Sequence, residues 1–216
     1  AKNSQLLLSI PVALSLFVVS DQLANLGRTL LPVDEELMQT VADLVRADGL
    51  FSWLIRLAGI GFGAAVSEEL LFRGVILTGL RRLGRWGAIM VSALLFTVMH
   101  GLLLPNYFVA GIVLGLAAMA TRSILIPISI HLIHNIAALL LFNLTDIETL
   151  GDPLWIPPGI LLPAIGILSI GVFVYLREMR GDHPESNSSP APDPHSETWF
   201  PAPPPGTLSI SEDLQR

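Results

Sequence analysis

Residues 59–77 read GIGFGAAVSEELLFRGVIL, and this stretch decides how the whole chain is interpreted. Two adjacent carboxylates, Glu68 and Glu69, sit in the middle of an apolar run, with Arg73 one helical turn further on. An acidic side chain at bilayer depth costs about 3 kcal/mol, so membrane helices rarely keep one without a task. Two later apolar runs carry His100 and His131, and the second also carries Asn135. Ionisable groups on three apolar helices predict a site built inside a membrane.

The composition agrees with that class. Of 216 residues, 52% are hydrophobic and 14% charged, where a soluble domain usually carries about a quarter charged residues. The mean hydropathy is +0.65. The formal charge of -6 is concentrated at the end of the chain, because from Gly181 onward there are six acids and one arginine. Nothing in this balance favours a nucleic acid partner; the expected surroundings are a lipid bilayer. Cysteine is absent, which excludes a disulfide framework and thiolate chemistry. The apolar run 6–20 is not expected to be a cleaved leader, since its only flanking cation is Lys2 and no small-x-small site follows.

A bilayer crossing needs about 20 mostly apolar residues. Six segments qualify or nearly qualify, at 5–20, 51–80, 86–104, 107–120, 124–142 and 156–176. The second is too long for one straight crossing. An all-α polytopic bundle of about six transmembrane helices is therefore expected, with an N-terminal span and acidic external loop over 1–50, a core over 51–142, and an external loop and last helix over 143–180. Arg81, Arg82, Arg85, Arg122, Arg177 and Arg180 fall in alternate connections, and basic loops stay in the cytoplasm. Both termini are then expected to be cytoplasmic, in a plasma or inner membrane. Gly59-x-x-x-Gly63 and Gly111-x-x-x-Gly115 are expected to serve ordinary close helix packing. Pro127 and Pro163 are expected to bend their helices. Residues 181–216 hold eight of the sixteen prolines and few aliphatic residues, so a disordered cytoplasmic tail is expected there.

Depth and facing bring the polar residues together. At 1.5 Å rise per residue, Glu68 lies roughly 18 Å above Leu80, His100 roughly 20 Å above Gly87, and Asn135 roughly 17 Å above Ile124, with His131 one turn lower. Glu69 and Arg73 are four residues apart and can pair within one helix. Glu68 points about 100 degrees away, free of that pairing. His131 and Asn135 share a face, and His134 is mostly a packing residue. A hydrolytic site needs a water, a base and donors for the developing oxyanion. Glu68 is the candidate base, His100 orients the water or protonates the leaving amine, and His131 and Asn135 are candidate oxyanion donors. Glu69 and Arg73 support them.

The Glu68-Glu69-x-x-x-Arg73, Phe96-x-x-x-His100 and His131-x-x-x-Asn135 runs resemble, in order and spacing, the three motifs of the CPBP family of CAAX proteases and bacteriocin-processing (Abi) membrane proteins, related to the type II CAAX prenyl endopeptidases. The resemblance covers roughly 51–142. It implies an intramembrane endopeptidase acting on a membrane-associated peptide or protein, with Glu68, His100, His131 and Asn135 catalytic. No cofactor is favoured. A zinc site on Glu68, His100 and His131 is the mechanistic alternative, although no H-E-x-x-H pair is present. A non-enzymatic carrier or immunity scaffold is the other alternative.

Overall fold

A computed structural model describes residues 3–30, 34–100, 105–144 and 155–181 of the chain. Contacts divide the protein into Ala1–Asp182 and His183–Arg216. The second unit, and with it the expected disordered tail, lies outside the described residues, as does the acidic loop 145–154.

Every described element is helical. Helix α1 (Asn3–Leu30) is followed by α2 (Glu35–Val45), which Asp34 caps by accepting from the amides of Glu36 and Leu37. The chain then forms one rod from Leu50 to Leu83. It runs through α3 (Leu50–Arg56), a π-helix π1 (Leu57–Gly63), α4 (Ala64–Glu69), a second π-helix π2 (Leu70–Ile76), α5 (Leu77–Gly79) and a 3-10 turn (Leu80–Leu83). Every junction from Arg56 to Leu77 keeps right-handed helical backbone angles, so the rod is continuous there. A π-turn closes to the fifth residue rather than the fourth and widens the helix. Carbonyls in these segments also take side-chain donors: Asn135 Nδ2 donates to Ile60 O at 3.0 Å, and Ser92 Oγ donates at 3.3 Å to Phe72 O, which accepts the Leu77 amide as well.

Gly84 ends the rod with φ of 74 degrees, a left-handed conformation that glycine adopts without Cβ penalty. The chain reverses there, and α6 (Gly84–Met99) returns along the rod, placing Phe96 edge-on against Phe72 at 5.1 Å. Helix α7 (Pro105–Thr121) crosses α6 at Gly111, where a Cβ would lie 2.9 Å from Ala93 Cα. Helices α8 (Leu125–Leu144) and α9 (Pro158–Gly181) complete the bundle. Helix α1 packs against α7, α8 and α9, burying Val12, Leu16, Leu114, Ile126, Ile130 and Tyr175 in one core. Large apolar side chains also face outward, among them Leu70, Val75, Leu94, Val98 and Phe173. A contiguous apolar exterior of this kind suits lipid rather than water.

By length and composition four helices can cross a membrane, at Asn3–Leu30, Leu50–Met99, Leu125–Leu144 and Pro158–Arg180, and α7 is a shorter apolar helix. The sequence count of six treats α7 and the two arms of the 50-residue run, which reverses at Gly84, as separate crossings. Two local expectations change. Gly59 has open space where a Cβ would be, and Gly63 meets only the carbonyl of Ala58. That glycine pair belongs to π1 and packs no neighbouring helix. Pro127 sits in the first turn of α8, where its missing N–H costs no hydrogen bond and forces no bend. Pro163 lies inside α9 as expected.

Candidate active site

Glu69 is the anchor of the site and is fully buried. Its Oε1 accepts from Arg73 Nη1 at 2.8 Å, one turn along the rod, and from His131 Nδ1 on α8 at 2.9 Å. Arg73 is held further by Gly111 O of α7 at 3.0 Å, and its guanidinium stands 4.8 Å from the Phe96 ring centre. One buried ion pair thus ties the rod to α6, α7 and α8. Its two charges cancel, which makes their burial tolerable.

Glu68 faces the other way, into a space between α6 and α8. Its side chain is 30% exposed, and its Oε2 lies 3.7 Å from His100 Nε2 and 3.9 Å from His131 Nε2. That oxygen has no hydrogen-bond partner among the described residues. His100 caps the end of α6, and its Nδ1 bonds the carbonyl of Phe96 at 2.7 Å. A carbonyl only accepts, so His100 Nδ1 carries the hydrogen. The Glu69 carboxylate assigns the Nδ1 hydrogen of His131 in the same way. Both imidazoles therefore turn Nε2 toward Glu68.

The structure brings Glu68, His100 and His131 together, with Glu69 and Arg73 behind them. Asn135 lies one turn along α8 from His131, and one of its amide hydrogens goes to Ile60 O. His134 is edge-on to Phe17 of α1 at 5.8 Å, in a packing position. Among the described residues no three His, Cys, Asp or Glu side chains are arranged to hold a metal ion. Zinc would require Glu68, His100 and His131 to close to about 2 Å from one centre.

Two contributors escaped the sequence reading. Tyr107 stacks on His100 with ring centres 4.2 Å apart and an interplanar angle of 24 degrees. The Gly111 carbonyl clamps Arg73. Tyr107 follows His100 by only seven residues, which is the one hint the sequence offers. The carbonyl has no side-chain signal at all.

No curated protein and no solved structure matches the chain significantly. A family description, Type II CAAX prenyl endopeptidase Rce1-like, matches residues 50–137, from the start of the rod to two residues past Asn135. That interval holds Glu68, Glu69, Arg73, His100, His131 and Asn135, so every residue of the candidate site lies in the part of the chain that is similar to the Rce1-like protease family.

Proposed function

We propose that this protein is an intramembrane endopeptidase in which Glu68 activates a water to hydrolyse a peptide bond of a membrane-associated, CAAX-type or bacteriocin-type, protein or peptide. The observation that carries this reading is the meeting of Glu68 Oε2 with two imidazole Nε2 atoms at 3.7 and 3.9 Å. In the neutral imidazoles each Nε2 is an acceptor, because each Nδ1 is committed as donor. Three acceptors facing one another repel unless a donor lies between them, and a water with two O–H groups is the smallest one that fits.

The chemistry then follows. One water hydrogen goes to Glu68 and the other points to an imidazole. Glu68 takes its proton as the oxygen attacks the scissile carbonyl carbon. The second amide hydrogen of Asn135 is offered to the developing oxyanion, while neutral His131, oriented by Glu69 at its Nδ1, keeps its Nε2 as an acceptor for the water's other hydrogen. The proton held by Glu68 passes to the leaving amine, directly or through His100, and the carboxylate is restored. Tyr107 and Phe96 fix the His100 ring from two sides.

Glu68→Gln keeps shape and hydrogen bonding but removes the base. Product mass spectrometry on membranes is expected to show cleavage lost while the protein still inserts. Function that survives this change points to a carrier or immunity scaffold. In the zinc-dependent reading Glu68, His100 and His131 would hold the ion, which would supply Lewis-acid activation of a water. Loss of activity on chelation, together with stoichiometric zinc, decides for it. Six crossings with cytoplasmic termini in the cell membrane complete the proposal. Arg85 Nη1 donates to Met179 O at 2.7 Å and Gln5 donates to Glu178 at 3.4 Å. These contacts support a common membrane face for the starts of α1 and α6 and the end of α9.

A further inference from the structure

We propose that the groove between α7 and α9 binds an anionic glycerophospholipid, with one acyl chain lying along the groove and the phosphate held at its end by Arg85, Arg177 and Arg180. The site is separate from the one that holds Glu68 and requires none of the chemistry assigned there.

The groove encloses about 380 Å³ and runs from Val109 to Leu116 on α7 and from Leu168 to Leu176 on α9, about 12 Å of helix length. Its single polar lining side chain, Ser169, returns its hydroxyl to Ile165 O at 2.7 Å, so no donor is left unpaired along the lining. Phe173 stands at one edge, 64% exposed, so the groove faces outward rather than into the core. Gly111, whose carbonyl holds Arg73, lies roughly 150 degrees round α7 from the groove-lining residues. The groove therefore occupies a different face of α7 from the candidate active site.

Helix register fixes which end of the groove is charged. A Cβ on Gly111 would meet Ala93 of α6 and one on Gly115 would meet Ile89, so each turn forward on α7 is a turn back on α6. One further turn brings Met119 level with Arg85, whose Nη1 donates to Met179 O of α9 at 2.7 Å. Helices α7 and α9 therefore run in the same direction, and the groove opens toward Arg85 at its Leu116 and Leu176 end. On α9, Phe173 and Leu176 line the groove, and Arg177 and Arg180 each follow one of them by four residues on the same face. Both arginines are exposed, and among the described residues no carboxylate pairs with Arg85, Arg177 or Arg180. Glu178, between the last two, turns toward α1, where Gln5 donates to it at 3.4 Å. The apolar slot thus ends in three cations. A phospholipid carries a hydrocarbon chain and an anion in that order, and the arginine fork matches phosphate.

The test uses the full chain in detergent micelles, titrated with phosphatidylglycerol, phosphatidylcholine of the same acyl chains, or glycerol 3-phosphate. Native mass spectrometry and thermal unfolding follow the binding. One retained phosphatidylglycerol per chain is expected, held about tenfold to thirtyfold more tightly than phosphatidylcholine, the scale of two arginines at an anionic surface. It is also expected to raise the thermal midpoint. Arg177→Gln with Arg180→Gln is expected to collapse the preference toward one while the lipid-free midpoint holds. Ser169→Phe fills the groove and is expected to abolish retention of both lipids with all three arginines in place. Equal retention of the two lipids by the wild type, or a full shift with glycerol 3-phosphate alone, overturns the proposal. So does a phosphatidylglycerol preference that survives either Ser169→Phe or the double glutamine variant; the latter decides the matter if Ser169→Phe does not fold. A chain dimer that Ser169→Phe dissolves gives the groove to a second copy, and displacement of the lipid by a prenylated peptide gives it to substrate; each overturns the proposal. Glu68→Gln is expected to leave all these values unchanged.

Discussion

Replacing Arg73 by methionine strands a charge. Glu69 is fully buried, and Arg73 supplies its only counter-charge within one turn, through a 2.8 Å contact. The methionine fills most of the space but leaves an uncompensated carboxylate and frees the Gly111 carbonyl. Breaking a buried pair by removing one partner costs about 3 to 5 kcal/mol. For a protein of this size each kcal/mol moves the thermal midpoint by about 2 to 4 °C. A fall of roughly 10 °C is therefore expected on heating the detergent-purified protein, followed by light scattering or tryptophan fluorescence. The double variant Glu69→Gln with Arg73→Met removes both charges and retains an oxygen to accept from His131 Nδ1. It is expected to recover about 2 kcal/mol relative to Arg73→Met alone. A double variant whose loss equals the sum of the two single losses would refute the buried-pair argument.

Further expectations concern single contacts. Gly111→Ala places a Cβ 2.9 Å from Ala93 Cα and is expected to cost about 1 to 3 kcal/mol, seen as a lower thermal midpoint. Tyr107→Phe keeps the stack on His100 and is expected to retain turnover, whereas Tyr107→Leu loses it and is expected to lower kcat up to about tenfold. Asn143 accepts from the Ala47 amide at 2.7 Å and donates to Val45 O at 3.1 Å. Asn143→Leu leaves both backbone groups without that partner at a cost of about 1 to 3 kcal/mol. Faster hydrogen exchange at Ala47 with α8 unaffected is the expected signature.

The helical class and the Glu69–Arg73 pair were legible because both depend on residues close in sequence. Apolar runs of the right length declare helices, and a four-residue spacing declares a pair. The bond between His131 and Glu69, 62 residues apart, was not legible. It depends on how α8 lies against the rod, and the sequence places both residues at similar depth without saying which carboxylate each imidazole meets. The expectation that Asn135 faces the substrate missed its hold on Ile60 O for a related reason. That carbonyl lies in π1, and the run Leu57–Gly63 has the same apolar pattern whether its turns are α or π.

Two wide turns bracket Glu68 and Glu69, one on each side. Tightening either into ordinary α-geometry would slip the helix by one residue and swing what lies beyond it by about 100 degrees. A slip that brought Glu68 round to the arginine would swing Glu69 about another 100 degrees on and turn Ser67 toward the cavity, so the two acids could not both keep their partners. The hydrogen bonds from Asn135 and Ser92 tie the two wide turns to α8 and α6, so loosening either neighbour would let the carboxylates re-aim while the bundle stays folded.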